Sequence, residues 1–345
     1  MMAYTIPMSA LVGLKFKGIF LYFTPFYVFF IIPVIEIFMT KFSLDKSKQT
    51  AETKNKAHWI FDLMLYLNLP LIFAIILLSL NIIPSGLKNY EFIGLVFSVG
   101  IVISSNGINV AHELCHRKNF IEKSIGKVML IPSLYMHFYL EHNFGHHLNV
   151  ATKQDPVTAK YNEPLYSFWL SAIKGELIGA IKIQKQRLSV ENRSFFSFYN
   201  DFLWYAVIQT TYLILIVNFF GFIALIFSIL IALVSILLFE SVNYIEHYGL
   251  LRKKTKSGRY ERVQLKHSWN SNHSLGRIVL YELTRHSDHH KISSKKYQNL
   301  ESYDEAPQLP YGYPTSILIA LLPWVWFRLI NPRIPKEMVE IYSKN

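Results

Sequence analysis

Five long apolar segments dominate the pattern of this chain, and polar or charged stretches separate them. Each segment is long enough for an α-helix to cross the hydrocarbon core of a bilayer, which takes about 20 residues. Only Gly221 separates the last two segments, and this short interruption predicts a tight helical hairpin. The predicted spans cover 18–39, 60–83, 92–111, 203–220 and 222–246.

Three other apolar stretches, 2–14, 128–140 and 315–330, are too short for a full span. The last of these contains Pro323, Trp324 and Trp326. Because tryptophan is enriched where a membrane meets water, we expect 315–330 to be re-entrant or to lie in the interface. Proline and glycine mark the remaining connections, and they predict loops at 155–164 (DPVTAKYNEP) and 304–314 (DEAPQLPYGYP).

The lysines predict which ends of the spans lie in the cytoplasm. The linker 40–57 holds five lysines, and the positive-inside bias places it on the cytoplasmic side. Counting spans from that linker puts His112, His142–His147 and the segment 248–313 on the same side, provided that 128–140 does not cross. The polar segments that follow the spans therefore share one membrane face.

The same count requires a short, tilted first helix over 2–14, which brings the total to about six transmembrane helices. The prediction is an all-α integral membrane protein with a single membrane-embedded domain over 1–345. Its candidate functional segments, 112–200 and 247–313, then lie in the cytoplasm. We expect the protein to be a multi-pass membrane protein with these segments on the cytoplasmic face.

Composition agrees with a membrane protein and limits the chemistry. Apolar residues make up 52% of the chain, the mean hydropathy is +0.25 and the net charge is +12. The basic residues border the spans, so we expect contacts with anionic lipid headgroups and no nucleic-acid partner. The single cysteine, Cys115, excludes an iron–sulfur or rubredoxin-type centre in this chain, since such centres need several thiolates.

Eight of the thirteen histidines fall into three histidine clusters. The clusters are HELCH (112–116), HNFGHH (142–147) and HSDHH (286–290). Histidines four apart share a face of a helix, so each cluster offers two or three imidazoles to a metal site. Eight or nine histidines are too many for one ion, and two metal ions are the economical interpretation. The scarcity of cysteine favours iron over a structural zinc.

His247 closes the span 222–246 and is a ninth candidate ligand. Carboxylates and amides commonly orient metal-bound imidazoles through hydrogen bonds. Isolated histidines at a membrane edge are more often interfacial polar residues than ligands, and we assign that role to His58, His137, His267 and His273. The candidates for orienting metal-bound imidazoles by hydrogen bonds are Glu113, Glu141, Glu240, Asn243, Glu246 and Asp288.

Two other functions are compatible with parts of this pattern. The motif HExxH also occurs in zinc proteases, with Glu113 as the base, but such an enzyme needs a third ligand and an accessible peptide cleft. A metal transporter or sensor is the non-enzyme alternative. It predicts ligands along a pathway at the middle of the bilayer, whereas these histidines gather at one face.

Longer motifs around the histidines resemble a known family. The stretches EHNFGHHLNVATKQDPVTA (141–159), NYIEHYGLLR (243–252), GRYERVQLKHSWNSNH (258–273) and LTRHSDHHKISSKKYQNL (283–300) are similar to those of bacterial alkane 1-monooxygenases. These enzymes belong to the membrane di-iron superfamily of fatty acid desaturases and hydroxylases. The resemblance runs from about residue 18 to residue 335.

The resemblance implies a six-helix bundle that hydroxylates the terminal carbon of n-alkanes. It implies two non-haem iron ions, O₂ as co-substrate, and electrons from a separate rubredoxin and its flavoprotein reductase. The apolar substrate would enter from the lipid bilayer. Fatty acid desaturases or hydroxylases and xylene-type methyl monooxygenases share such an iron site and remain alternatives. The implied ligands are His112, His116, His142, His146, His147, His247, His286, His289 and His290.

Overall fold

The computed structural model describes residues 2–42 and 59–343. Most of the lysine-rich linker, and with it the basis of the topology prediction, lies outside the described residues, as does His58. The described residues are helical, and their only β-pairings are two isolated bridges, Lys254 with Tyr260 and Asn270 with Gln308. The all-α prediction is therefore confirmed.

Five helical segments among residues 2–42 and 59–343 are long and apolar enough to cross a membrane. They confirm the five long segments that the hydrophobic pattern predicts. Asn89–Cys115 is the most buried of them, with 89% of its most apolar window inside the protein, against 11% for Asp201–Phe220. The five are Gly18–Met39, Trp59–Ser85, Asn89–Cys115, Asp201–Phe220 and Phe222–His247.

The short apolar stretches do not form full spans in the described structure. The helix Thr5–Phe16 has 12 residues and is about 18 Å long at 1.5 Å per residue. A sixth crossing by this helix stays a prediction. The stretch 128–140 consists mainly of turns. The stretch 315–330 is divided between two eight-residue helices, Tyr313–Ala320 and Pro323–Ile330, neither of which is long enough to cross.

Contacts along the chain divide it into two compact units. Unit 1 comprises Met1–Phe30, His58–Glu141 and Leu177–Phe239, and unit 2 comprises Ile31–Ala57, His142–Glu176 and Glu240–Asn345. The single membrane-embedded domain stays a prediction.

Small residues allow the central span of unit 1 to pack closely against its neighbours. A Cβ atom at Gly100 would overlap the side chain of Val234, and one at Gly94 would overlap the ring of Tyr22. The hydroxyl of Ser98 donates to the carbonyl of Leu21 at 2.5 Å. The helices that lie wholly in this unit are Thr5–Phe16, Phe23–Phe26, Trp59–Tyr66, Asn68–Ile82, Asn89–Val102, Asn109–Cys115, Phe120–Met129, Phe138–Glu141 and Asp201–Phe220. The second half of Leu165–Val190 and the first part of Phe222–His247 also belong to it.

Unit 2 consists of short helices joined by long loops, together with the ends of two longer helices. Its start, Ile32–Phe42, continues the first span. The carboxylate of Glu36 on that helix accepts a hydrogen bond from the backbone N–H of Gly276 at 2.8 Å and so ties the span to the loop region. The other helices of the unit are His147–Asn149, Ser274–Val279, His286–Lys291, Tyr313–Ala320, Pro323–Ile330 and Lys336–Ser343.

Within residues 2–42 and 59–343, three segments have π-helical geometry, in which the backbone hydrogen bonds run from residue i to i+5. They are Tyr27–Ile31, Ile103–Ile108 and His142–His146. Such turns are rare and occur frequently at functional sites. The third of them carries two of the candidate ligands.

Candidate metal centre

Four histidines of unit 2 bring their imidazoles together, and we call them the four-histidine group. The Nε2 atoms of His286 and His247 lie 3.0 Å apart, those of His290 and His286 lie 2.9 Å apart, and those of His146 and His290 lie 3.2 Å apart. All four side chains are buried. The group is His146, His247, His286 and His290.

Different elements supply these four side chains. His146 ends the π-helical turn, and His247 is the last residue of the span Phe222–His247. His286 and His290 lie one helical turn apart on the short helix His286–Lys291. Because i and i+4 positions lie on one helical face, this spacing points both rings in the same direction.

Carboxylates lie behind two of the imidazoles. Nδ1 of His146 lies 3.0 and 3.1 Å from the carboxylate oxygens of Asp155, and the hydroxyl of Thr158 donates to Asp155 at 2.6 Å. Nδ1 of His286 lies 3.3 Å from Glu246, which in turn accepts a hydrogen bond from the Tyr313 hydroxyl at 2.7 Å. A carboxylate beside Nδ1 keeps the proton on that nitrogen and leaves the lone pair of Nε2 facing the group.

This arrangement fits a metal ion. Nitrogen lone pairs that face one another at about 3 Å repel, and a shared proton satisfies only one pair of nitrogens at a time. Burial and the neighbouring histidines also keep the pKa of His290 well below its ordinary value. Neutral imidazoles are the form that binds metals, and a set of nitrogen donors suits iron, zinc, copper or nickel.

A second set of three histidines lies in the same unit, and we call it the three-histidine group. Nε2 of His147 lies 3.0 Å from Nε2 of His142 and 3.2 Å from Nε2 of His289. His142 and His289 are buried, whereas His147 is half-buried. Burial lowers the pKa of His289 to about 3, so this imidazole is also neutral.

The structure therefore divides two of the histidine clusters between the two groups. His142 pairs with His147, five residues on, because the segment is a π-helical turn, and the α-helical spacing that pairs His142 with His146 does not hold. His146 points instead into the four-histidine group. In HSDHH, His286 and His290 join that group while His289 joins the other. The histidines of one cluster in the sequence thus do not all belong to one group in the structure.

The remaining two candidate ligands lie in unit 1, at the end of the central span. His112 is buried and His116 is half-buried, and their ring centroids are 5.0 Å apart, as i and i+4 positions on a helix require. Between them, Glu113 forms an ion pair with Arg117 at 2.8 Å, and Arg117 also lies 3.3 Å from Asp62. Their role as ligands stays a prediction.

The six predicted orienting residues have different surroundings. Glu246 lies beside His286, as described above. Glu240 accepts hydrogen bonds from the amide of Asn243 at 3.2 and 3.3 Å. Asp288 accepts from Lys295 and from the backbone N–H of Glu301, each at 2.8 Å. Glu141 is buried against Gly179 within unit 1, and Glu113 forms the ion pair with Arg117.

Asp155 and Tyr313 are the residues that the sequence analysis missed. Asp155 stands in a predicted loop, nine residues after His146, where its carboxylate looks like an ordinary turn residue. A carboxylate in a proline-containing loop shortly after a histidine cluster was the available signal. Tyr313 is 67 residues from Glu246 in the chain, and no local pattern connects the two.

Comparison with known proteins places the chain in a family. The family model for fatty acid desaturases matches residues 88–318. Alkane 1-monooxygenase 1 of Pseudomonas aeruginosa is 37% identical over 70% of this chain and 63% of its own length. Alkane 1-monooxygenase of Pseudomonas putida is 35% identical over 88% and 75%, and alkane 1-monooxygenase 2 of Alcanivorax borkumensis is 32% identical over 95% and 87%.

The chain belongs to the alkane 1-monooxygenases of the fatty acid desaturase family. It is therefore an enzyme, an O₂-dependent oxidoreductase, and its apolar helices make it a multi-pass membrane protein. Its histidine groups are the candidate metal site, and its reaction depends on a redox partner.

Proposed function

We propose that this chain converts n-alkanes into 1-alkanols, using two non-haem iron ions and O₂. One molecule each of alkane and O₂, with two electrons and two protons, yields one molecule each of 1-alkanol and water. A separate rubredoxin, reduced by its flavoprotein reductase, supplies the electrons. The single observation that carries the proposal is the four-histidine group, in which four buried imidazoles converge and carboxylates lie behind two of them.

The histidines are the proposed iron ligands. Iron bound there would activate O₂ for attack on a C–H bond, which no amino-acid side chain can do alone. The four-histidine group would hold one ion. The three-histidine group would hold the other. His112 and His116 are proposed as further iron ligands, on the spacing of the sequence motif HELCH.

The protein itself binds, orients and shields the substrate. An alkane offers no polar group, so its affinity must come from burial of its methylene groups, about 0.8 kcal/mol each. The proposed tunnel is built from residues of 19–30, 64–78 and 92–104. In the first of these, Leu21, Thr24 and Val28 are buried while Phe26 and Phe30 are exposed. The buried side of this segment is the side that suits a tunnel.

We place the enzyme in the bacterial inner membrane with its metal site on the cytoplasmic face. The support is the positive-inside bias of the lysine-rich linker together with the count of spans. A cytoplasmic site would also give the soluble electron donor direct access.

The test is product formation by cells that express this chain with a rubredoxin and a reductase. A series of n-alkanes of increasing length is fed, together with a fatty acid and xylene. We expect 1-alkanols at some chain lengths and none from His247→Ala. The matched control is His273→Ala, because His273 lies outside both histidine groups and its Nδ1 pairs with the hydroxyl of Ser271 at 2.9 Å. This control should retain product formation.

Other outcomes would replace the proposal with an alternative. Unsaturated or hydroxylated fatty acids would indicate a desaturase or fatty acid hydroxylase, and a benzylic alcohol would indicate a xylene-type methyl monooxygenase. An iron-loaded protein that oxidises none of these substrates with a competent donor would contradict the proposed function. Metal uptake into cells that depends on the chain would favour a transporter.

A further inference from the structure

The two histidine groups of unit 2 hold their imidazoles in different environments. All four members of the four-histidine group are at most 7% exposed, and all four belong to the same unit. Four nitrogen donors complete the tetrahedral ligand set that a divalent ion accepts. In the three-histidine group, His147 is half-buried, so that water lies closer to one ligand.

Charge distinguishes the four-histidine group further. A divalent ion among four neutral imidazoles brings two positive charges into a buried site, and isolated buried charges are costly. The side chains of Asp155 and Glu246 are 0% and 1% exposed, and their carboxylates lie directly behind His146 and His286. The two carboxylates offset the charge of the ion through the imidazoles that they contact.

The surroundings of Asp155 hold its carboxylate in place. The hydroxyl of Thr158 donates to one oxygen of Asp155 at 2.6 Å. The same hydroxyl accepts the backbone N–H of Ala151 at 2.9 Å, which joins both ends of the loop that follows His146. With its position set in this way, Asp155 orients the ring of His146 before any ion arrives.

We propose that the four-histidine group is the higher-affinity metal site of the pair, that it takes up its ion first, and that Asp155 is a positioning residue that sets this difference. The inference rests on the proposed two-metal function and deepens it. The other ion depends on the three-histidine group, which has one histidine fewer and includes the half-buried His147. That ion is therefore held less tightly and exchanges more readily.

The experiment titrates the full-length, metal-free protein in detergent with Co²⁺ under nitrogen. The visible absorption of Co²⁺ reports its geometry, because tetrahedral sites absorb more strongly than five- or six-coordinate ones. Dialysis against Co²⁺ at fixed concentrations gives the number of ions bound. We expect one ion to bind tightly with a tetrahedral spectrum and a second to bind at higher concentration.

Asp155→Asn removes the charge and keeps a side chain of the same shape. It should weaken the tight site about 10- to 100-fold, the usual loss for an outer-shell partner, and leave the second site unchanged. Thr158→Val retains the carboxylate and removes only the hydroxyl that positions it, so it should weaken the same site by less. Asp304→Asn, at an exposed position of the same unit, is the matched control.

Equal affinities for both ions, or an equal loss at both sites in Asp155→Asn, would overturn the inference while leaving the proposed function intact. A weakening of the tight site by Asp304→Asn as large as that by Asp155→Asn would overturn it as well. A protein that folds but binds no Co²⁺ would contradict the proposed function itself.

Discussion

The Nε2 atoms of His142 and His147 lie 3.0 Å apart, although the two residues are five positions apart in the chain. A regular α-helix would rotate His147 by about 500°, or 140° net, away from His142. The π-helical turn His142–His146 removes that offset. Because His147 then lies on the same side as His142, the residue before it, His146, faces the four-histidine group.

The first prediction concerns this division of ligands. His142→Ala and His147→Ala should impair the same metal ion, whereas His146→Ala should impair the ion that His290→Ala impairs. The physical reason is that His142 and His147 would coordinate the same ion, so the loss of either side chain weakens the binding of that ion. Metal analysis combined with Co²⁺ spectra of the four variants measures this. Equivalent spectra for His142→Ala and His146→Ala would contradict it.

The second prediction concerns Tyr313 and Glu246. Tyr313→Phe removes the hydroxyl that donates to the buried carboxylate of Glu246. Loss of a partner for a buried acceptor costs about 1–3 kcal/mol, so the variant should melt at a lower temperature. Thermal unfolding in detergent, followed by circular dichroism, is the measurement. Tyr311→Phe, at an exposed tyrosine two residues away, should melt like the unmodified protein.

The third prediction concerns the approach of Gly312 to Glu36. A Cβ atom at Gly312 would overlap the carboxylate of Glu36, while the backbone φ of −61° is one that alanine readily adopts. Gly312→Ala should therefore destabilise the protein by about 1–3 kcal/mol through overpacking alone. Shortening the acid in Gly312→Ala/Glu36→Asp should restore part of the loss. Gly107→Ala, whose Cβ would make only ordinary contacts of 3.5 Å or more, is the control.

The fourth prediction concerns pH and His267. Burial lowers the pKa of this imidazole from 6.5 to about 4. The carboxylate of Glu261, 3.3 Å from Nε2 of His267, acts in the opposite direction and raises the pKa. The folded protein thus binds fewer protons here than the unfolded chain. The contribution to stability is complete above about pH 6.5 and is lost as the pH falls towards 4.

The measurement for His267 is the melting temperature of the metal-saturated protein between pH 7.5 and pH 5. His267→Asn keeps an acceptor for the backbone N–H of Gln264, which the imidazole Nδ1 accepts at 3.0 Å, and it removes the titrating group. The melting temperature of the variant should fall less steeply with decreasing pH. Parallel curves for the two proteins would show that His267 does not contribute to the pH dependence.

The local sequence pattern determined where the membrane spans lie and that the protein has a histidine-rich metal site. The five long apolar segments are helices within about four residues of their predicted limits, because the apolar length needed to cross a bilayer is a property of each segment alone. The repeated histidines likewise predicted a metal site, since imidazoles at helical spacing converge without help from distant residues. The α-helical pairing of His286 with His290 followed from the same rule.

Only the tertiary structure decided how the histidines are shared and which residues stand behind them. The π-helical turn changes the register of HNFGHH by one residue, and a sequence periodicity of 3.6 does not reveal such an insertion. Asp155 reaches His146 because the loop between them folds back, and Tyr313 reaches Glu246 across 67 residues. These contacts depend on how distant segments pack, whereas the spans and the metal-binding residue types are encoded one segment at a time.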